Sequence, residues 1–349
     1  MASLAVDAIR RGHDVAVVYS PDRADPQILD TLRNGGVTRL EDSPMRRSIG
    51  PWDALDGLRL RTTIAALGHF DVIHSHSSKA GALARGFAHI GGAAHVYSPH
   101  GFYTMTGAAP FYIGPVERAL SWFGDRVIAV SNYEGRHAID LGIAADKVVV
   151  VPNGIAPYDP RPRTEARAAL GLNTDAFAVG FVGRLAAQKN PLEAVAAIDA
   201  TSSGAVLAVL GDGELRAAAE DAARTCNANA VFAGQRDAKP LFSAFDCLLC
   251  TSRYEGMAVS FLEALNCGVP IVSYPVGGTE ELVIDGETGF VIEPQPYAAA
   301  AAIDGLAAAS SPHRIRMAQA CRALAAKHTD AEMGRQTLEV YESVLKWGA

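Results

Sequence analysis

The sequence predicts an α/β protein of two doubly wound domains, each a parallel sheet covered on both faces by helices. Three observations carry this expectation. Short apolar runs such as Val148-Val-Val-Val151 and Ala178-Val-Gly-Phe-Val182 recur with amphipathic segments between them, the pattern of strands buried on both faces. At 349 residues the chain is long for one domain and comfortable for two. Four prolines crowd Val151-Pro-Asn-Gly-Ile-Ala-Pro-Tyr-Asp-Pro-Arg-Pro162, which marks a break. The expected domains are 1–157 and 158–330, with 331–349 a closing helix that packs back on the first. In such sheets ligands sit at the carboxyl ends of the strands, so the two domains are expected to face each other across a cleft.

In order, the first half reads as helix 3–11, strand Asp14-Val-Ala-Val-Val-Tyr-Ser20, a less regular stretch, helix 54–67 and strand Asp71-Val-Ile-His-Ser-His76. Helix 79–90, strand 93–98, an aromatic loop, helix 115–123, strand 126–130, helix 132–141 and strand 148–151 follow. The second half restarts at strand 178–182 and continues with helix 191–200, strand 205–210, helix 214–225, strand 230–233, helix 238–244 and strand 247–251. A short apolar helix carrying Glu263 comes next, stopped by Gly268 and Pro270. Strand 270–274, helix 278–284, strand 289–292 and two Ala-rich helices precede the closing helix, expected over 331–346.

Composition narrows the function. Apolar residues make up 49% and charged residues 20%, enough for sizeable cores and against wholesale disorder. Charge is uneven: the chain through Pro157 is neutral, and the whole net charge of −7 belongs to the remainder. That argues against general nucleic-acid binding, which needs a basic surface. The five cysteines show no disulfide-framework spacing, as expected in a reducing compartment. Cys247-Leu-Leu-Cys250 is formally C-x-x-C, but it lies in an apolar strand where i and i+3 point to opposite faces. Neither a signal peptide nor a run of about 18 apolar residues is visible, so a membrane span and a secretory route are not expected.

The most informative stretch runs from Arg253 to Val272. Glu255 sits in a loop after a buried apolar run, and Glu263 lies eight residues later among Phe261, Leu262, Ala264 and Leu265. A carboxylate there is expensive unless a partner takes its charge. The helix start beside Glu255 offers free backbone N–H groups to an anion. Two hydroxyl-seeking carboxylates around such a start suit a sugar nucleotide; the plainer reading is a solvated loop Glu and a surface helix Glu. Phe181-Val-Gly183-Arg184-Leu-Ala-Ala-Gln-Lys189-Asn-Pro191 adds two cations at a strand's carboxyl end, a planar fork and a point charge for phosphate oxygens. Gly211-Asp-Gly213-Glu-Leu-Arg216 approaches G-x-G-x-x-G, but Arg216 replaces the third glycine and Gln235 stands near where a ribose-binding acid belongs, which argues against ordinary dinucleotide binding. His100 follows a buried strand at the cleft edge of the first domain. His74 and His76 alternate on one strand face as metal ligands could, without a third ligand of matching spacing.

Together these motifs resemble the retaining glycosyltransferases of family 4, which have the GT-B fold. The likeness runs along the whole chain. It rests on the Glu255/Glu263 spacing, the Gly183-Arg184…Lys189-Asn190-Pro191 loop, Gly211-Asp-Gly213, Gly277-Gly278-Thr-Glu-Glu281, Asp285-Gly-Glu-Thr-Gly289 and Pro152-Asn153-Gly154. His74-Ser-His76-Ser-Ser-Lys79-Ala-Gly81 and Pro99-His100-Gly101-Phe102 look like the branch that builds bacterial surface polysaccharides or glycolipids. The resemblance implies that Arg184 and Lys189 hold the donor diphosphate, Glu263 the ribose hydroxyls and Glu255 the transferred sugar. It also implies that His100 contacts that sugar from the first domain, giving a catalytic set of Glu255, His100, Arg184 and Lys189. Backbone N–H groups of Gly256, Met257, Ala258 and Val259 would grip the diphosphate, and Gly183, Gly213 and Arg236 complete the donor-binding set. No cofactor is implied, and a divalent metal is not required because the cations replace it.

The implied activity is transfer of a hexosyl group from a nucleotide-diphosphate sugar, UDP foremost, to a saccharide or polyprenyl-linked acceptor. The expected place is the cytoplasm, including the inner face of the plasma membrane, with peripheral contact to anionic lipid. A sugar-nucleotide epimerase of the same architecture and a truncated, non-catalytic sugar-nucleotide-binding protein are the alternatives. One departure stands out. Family members open with a strand and a Gly-rich loop before their first helix, whereas Met1 to Asp14 already reads as that helix. The expectation is therefore a reading frame that extends upstream by about twenty residues, one strand and a tight loop.

Overall fold

The computed structural model describes residues 1–46, 48–89, 91–226 and 228–345, with the backbone alone at Arg23. The chain divides into two compact units, Met1–Pro152 with the chain from Asp330 onward, and Asn153–Thr329.

The first unit begins with α1 (Ala2–Arg10), which buries Leu4, Ala5, Val6 and Ala8, followed by β1 (Ala16–Tyr19). The stretch expected to be irregular holds a 3-10 turn, Pro21–Arg23, then a helix and a strand. α2 (Pro26–Asn34) starts where the Asp25 side chain accepts from the Gln27 N–H and Pro26 presets the first turn; β2 (Arg39–Asp42) follows. Next come α3 (Asp53–Leu67), β3 (Val72–His76), α4 (Ser78–Phe87), β4 (Ala94–Ser98), α5 (Ile113–Leu120), β5 (Arg126–Ala129), α6 (Asn132–Asp140) and β6 (Val148–Val150). The expected helix 115–123 is thus α5 plus a separate 3-10 turn, Ser121–Phe123.

All strand pairs in this unit are parallel, but the layer is in two pieces, β1-β2 and β3-β4-β5-β6. Among the described residues no ladder joins β1 to β3. Val18 of β1 and Ile73 of β3 nevertheless pack on one cluster with Leu60, Ile64 and Leu83 of α3 and α4. Both strands therefore present an open edge within a shared layer.

The second unit contains α7 (Arg163–Leu170), β7 (Ala178–Val182), α8 (Pro191–Asp199), β8 (Val206–Leu210), α9 (Arg216–Cys226), β9 (Ala230–Gly234) and β10 (Cys247–Cys250). It continues with α10 (Val259–Asn266), β11 (Ile271–Ser273), α11 (Thr279–Leu282), β12 (Gly289–Val291), α12 (Pro296–Ala308) and α13 (Ser311–Ala325). α7 was not anticipated, and the helix expected over 238–244 is a 3-10 segment, Lys239–Ala244. The six strands are parallel in the order β12-β11-β10-β7-β8-β9. Their inward faces, with Val179, Phe181, Leu207, Val209, Leu249 and Val272, bury a core completed by α8, α9 and α12. The chain winds outward from β7 to β9, then returns to the other side of β7 with β10. The carboxyl ends of β7 and β10 therefore form the switch point where such sheets bind ligands.

The last helix, α14 (Asp330–Leu345), belongs to the first unit. Its Val340, Tyr341 and Val344 pack with Val96 of β4 and Ile128 of β5. Residue 346, the expected end of this helix, and the rest of the terminus lie outside the described residues.

Candidate active site

The loops after β7 and β10 are tied together at the switch point. Thr251 donates its hydroxyl to the carbonyls of Lys189 and Asn190 (3.1 and 3.0 Å). The Arg253 N–H donates to the Gln188 carbonyl (2.8 Å), and the Gln188 amide donates back to the Tyr254 carbonyl (3.2 Å). This lacing brings Lys189 Nζ to 2.8 Å from Glu255 Oε1, with both side chains mostly buried. Burial works against the ammonium, but Glu255 and, to a smaller extent, Cys250 together more than offset it, so the Lys189 pKa is raised. The Lys189 stem runs over Gly183, where a Cβ would lie 3.0 Å from Cε. A larger residue at 183 would crowd that stem and force it to shift by a few tenths of an ångström.

Three glycines found in the sequence, Gly211, Gly213 and Gly277, fix these loops from behind. A Cβ at Gly211 would collide with the Gly183 carbonyl and one at Gly213 with the Leu185 carbonyl. The two loops also exchange backbone bonds, Leu185 N–H to Asp212 and Leu215 N–H to Leu185 (both 2.9 Å). The Gly-Asp-Gly segment is a support for the Arg184–Lys189 loop. Gly277 does the same for the other loop, since a Cβ there would strike the carbonyls of Glu255 and Gly256.

α10 starts at Val259 with Ala258 as its cap, and no side chain caps it. Gly256, Met257 and Ala258 are buried in the approach to that helix, so the N–H groups of its first turn form a local positive end. Glu263, one turn on, is half-buried, and its pKa is raised to about 7, chiefly by burial; Lys239 opposes the shift and Asp237 adds to it. Among the described residues no side chain forms a salt bridge with it. Arg184 is exposed on the loop after β7. Arg236 is exposed two residues beyond β9 and donates to the Ala169 carbonyl (3.1 Å).

In the first unit, His100 follows β4 with a left-handed backbone, φ 53°. Its Nε2 lies 2.9 Å from His76 Nδ1. His74 is engaged at both nitrogens, by the Tyr341 hydroxyl (2.6 Å) and the Ser98 hydroxyl (2.8 Å). His100 keeps an exposed face, yet protein hems its ring, and desolvation lowers its pKa to about 4. Desolvation likewise lowers His74 to about 3 and His76 well below the usual range. All three are neutral near pH 7. Among the described residues no group of three metal-binding side chains occurs.

Sequence reasoning missed Glu134. It is wholly buried at the start of α6 and accepts hydrogen bonds from the Gly101 and Val130 N–H groups. It thereby holds the strained turn that presents His100. Burial raises its pKa to about 7, against those two hydrogen bonds. The available signal was Ser131 three residues earlier, whose hydroxyl accepts from the Glu134 N–H (3.1 Å) as in a capping box.

Comparison with known proteins agrees with this architecture. The family model "Glycosyltransferase Family 4" matches residues 1–157, and "Glycosyl transferases group 1" matches 162–323. A D-inositol 3-phosphate glycosyltransferase of Stackebrandtia nassauensis is 30% identical over 310 residues, covering 80% of this chain and 69% of the relative. One of Xylanimonas cellulosilytica is 27% identical over 383 residues, covering 97% and 89%. The structure of Anabaena HepE in complex with UDP and glucose superposes with a TM-score of 0.83 at 22% identity, covering 98% of this chain and 96% of that one. Sucrose-phosphate synthase from Thermosynechococcus elongatus gives 0.83 at 20% identity, covering 98% and 92%. The chain belongs to the family 4 type of glycosyltransferases and has the GT-B fold.

Proposed function

We propose that the protein is a retaining transferase that moves a hexosyl group from a UDP-sugar to a hydroxyl acceptor in polysaccharide or glycolipid synthesis. The observation that carries this is the Lys189–Glu255 pair (2.8 Å) beside the open N-terminus of α10, which bears Glu263 on the same helix. Lys189, Arg184 and the first-turn N–H groups suit a diphosphate, and Glu255 and Glu263 suit hydroxyls of the sugar and ribose. UDP in the HepE complex supports the choice of nucleotide. In this reading the C1–O bond to the leaving diphosphate breaks as the acceptor oxygen bonds C1 on the same face. The acceptor proton passes to a phosphate oxygen of the leaving group. The protein's task is to neutralise charge gathering on that phosphate, where one well-placed donor is typically worth about 3 kcal/mol. The cations take the place of a divalent metal. UDP release from a panel of UDP-sugars in EDTA, with and without acceptor, tests the proposal. Release that requires acceptor supports it; interconversion of donors indicates an epimerase, and binding without turnover a silent binding protein.

Glu263 gives the proposal a pH signature. Its folded pKa of about 7 lies above the ordinary 4.5, so the unliganded protein loses stability as pH rises from about 4.5 to 7. Ribose hydroxyls donating to the carboxylate favour its charged form. UDP binding should therefore tighten as pH rises through 7 and release a proton below it. Calorimetry at pH 6 and pH 8, in buffers of different ionisation enthalpy, should show this, and Glu263→Gln should abolish it. An affinity indifferent to pH in the wild type would remove the ribose role.

The acceptor side is read from the first unit. The aromatic segment after β4 divides: Phe102 and Ile113 are buried, whereas Phe111, Trp122 and Phe123 are 94%, 75% and 54% exposed. Tyr103, Tyr112 and Val116 are exposed too, with Arg118 on the same stretch. Bulky apolar groups this exposed suit an interface, and a neighbouring cation suits an anionic leaflet. This favours a lipid-linked acceptor over the soluble D-inositol 3-phosphate named for the relatives. The protein should float with anionic liposomes, and Phe111→Ser with Trp122→Ser should keep it at the bottom of the gradient. A wild-type protein that never floats, and that glycosylates D-inositol 3-phosphate, would reverse the choice. No helix among the described residues is long and apolar enough to cross a membrane.

A further inference from the structure

The second unit contains a cavity of about 370 Å³ remote from the switch point. Phe245 and Val269, in its wall, precede β10 and β11. It therefore opens at the amino ends of the strands, whereas Lys189 and Glu255 follow carboxyl ends. Its volume is in the range of small-molecule sites, about 300–1,000 Å³.

The wall carries three arginines, Arg161, Arg163 and Arg322, and no carboxylate, although the residues beyond Pro157 hold all the net negative charge of the chain. Surface arginines are ordinarily solvated one by one; here backbone carbonyls hold the side chains of Arg163 and Arg322 beside a concave space, and Arg161 leaves the chain at its edge. Arg163 is anchored by the Ser243 and Phe245 carbonyls (3.2 and 3.0 Å) and by Asp246 (2.6 Å). The Ser243 hydroxyl donates to the Arg161 carbonyl (2.6 Å), pinning the chain where the Arg161 side chain leaves it. Arg322 donates to the Cys267 carbonyl (3.3 Å) and lies against Gly268, where a Cβ would be 2.7 Å from its Cζ. Among the described residues Arg161 has no ion-pair partner, and Arg322 keeps most of its N–H donors. Phe245, Val269 and Pro162 supply an apolar floor.

We propose that this cavity is a second ligand site, separate from the donor site, for a small organic phosphate. The phosphate meets Arg161 and Arg322, whose forked donors match its oxygens, and the organic body lies on Phe245 and Val269. The proposal does not depend on the transferase reading.

Phenyl phosphate and inorganic phosphate are the probes, titrated by calorimetry into the full chain carrying Lys189→Ala, so that the switch-point loop contributes little. Saturable binding is expected, tighter for phenyl phosphate than for inorganic phosphate. Adding Arg161→Glu with Arg322→Glu should weaken it about tenfold or more, the scale of one lost charge-assisted contact. Both arginines are exposed, and only the Arg322 bond to the Cys267 carbonyl is lost, so the melting temperature should fall little; Arg161→Ala alone, which breaks no side-chain bond, should give a smaller loss of binding in the same direction. No saturable binding, or binding that the arginine substitutions leave unchanged, overturns the proposal.

Discussion

Lys189→Ala and Glu255→Gln should each lower sugar transfer by about a hundredfold, the usual scale for a group that stabilises charge in the transition state. The fall should appear in kcat rather than in KM alone, because charge on the leaving phosphate grows as the bond breaks. The two residues are also each other's partners at 2.8 Å, largely out of solvent. Removing one leaves the other buried and unpaired, so each single variant should melt lower, by up to about 3 kcal/mol in stability. The double variant Lys189→Ala/Glu255→Gln separates the two effects. It should recover part of the lost stability while transfer stays at the single-variant level or below. Near-normal turnover in Lys189→Ala would remove the phosphate role.

Gly277→Ala should have the second largest effect, although it adds only one methyl group. That methyl would strike the carbonyls of Glu255 and Gly256, so the loop bearing Glu255 must move. Overpacking of this kind destabilises by about 1–3 kcal/mol, and a displaced Glu255 should reduce transfer by at least tenfold, since misplacement by about 1 Å is that costly. Gly305→Ala is the matched control. Gly305 sits within α12 with nothing near its missing Cβ, and the change should be neutral or stabilising by up to about 1 kcal/mol. Thermal melts and initial rates on the two variants check both halves. Equal behaviour would mean that the contact behind Gly277 does not fix the Glu255 loop.

Much of the architecture was legible because buried parallel strands are written as short apolar runs. β8, Val206–Leu210, is buried at every position and could hardly be read otherwise. β2 escaped for the opposite reason. Arg39-Leu-Glu-Asp42 is an edge strand, half-buried at its start and exposed at its end, so its composition looks like a loop. α7 was hidden by the prolines just before it, although Ala166 and Leu170 bury one face and Gly171 closes it in a left-handed conformation. At the site, residue types and spacing marked Lys189, Glu255 and Glu263. The direct pairing of Lys189 with Glu255 was not legible, because it depends on lacing between loops sixty residues apart. Gly211, Gly213 and Gly277 were recognised as motif residues, but only the structure shows that they brace the two cationic and acidic loops. Ser131 marked Glu134 as a helix-start residue, but its hold on the His100 turn was not legible, because its partners there, Gly101 and Val130, are backbone groups.

The most direct test of the central claim is the anomeric configuration of the product. Proton NMR of the purified product formed from UDP-α-D-glucose, or from whichever UDP-α-sugar the panel selects, reads it from the coupling at C1. An axial, α-linked sugar whose formation vanishes in Glu255→Gln is the result expected of a retaining transferase built on the Lys189–Glu255 site. A β-linked product, or an α-linked one formed equally well by the Glu255→Gln variant, would contradict it.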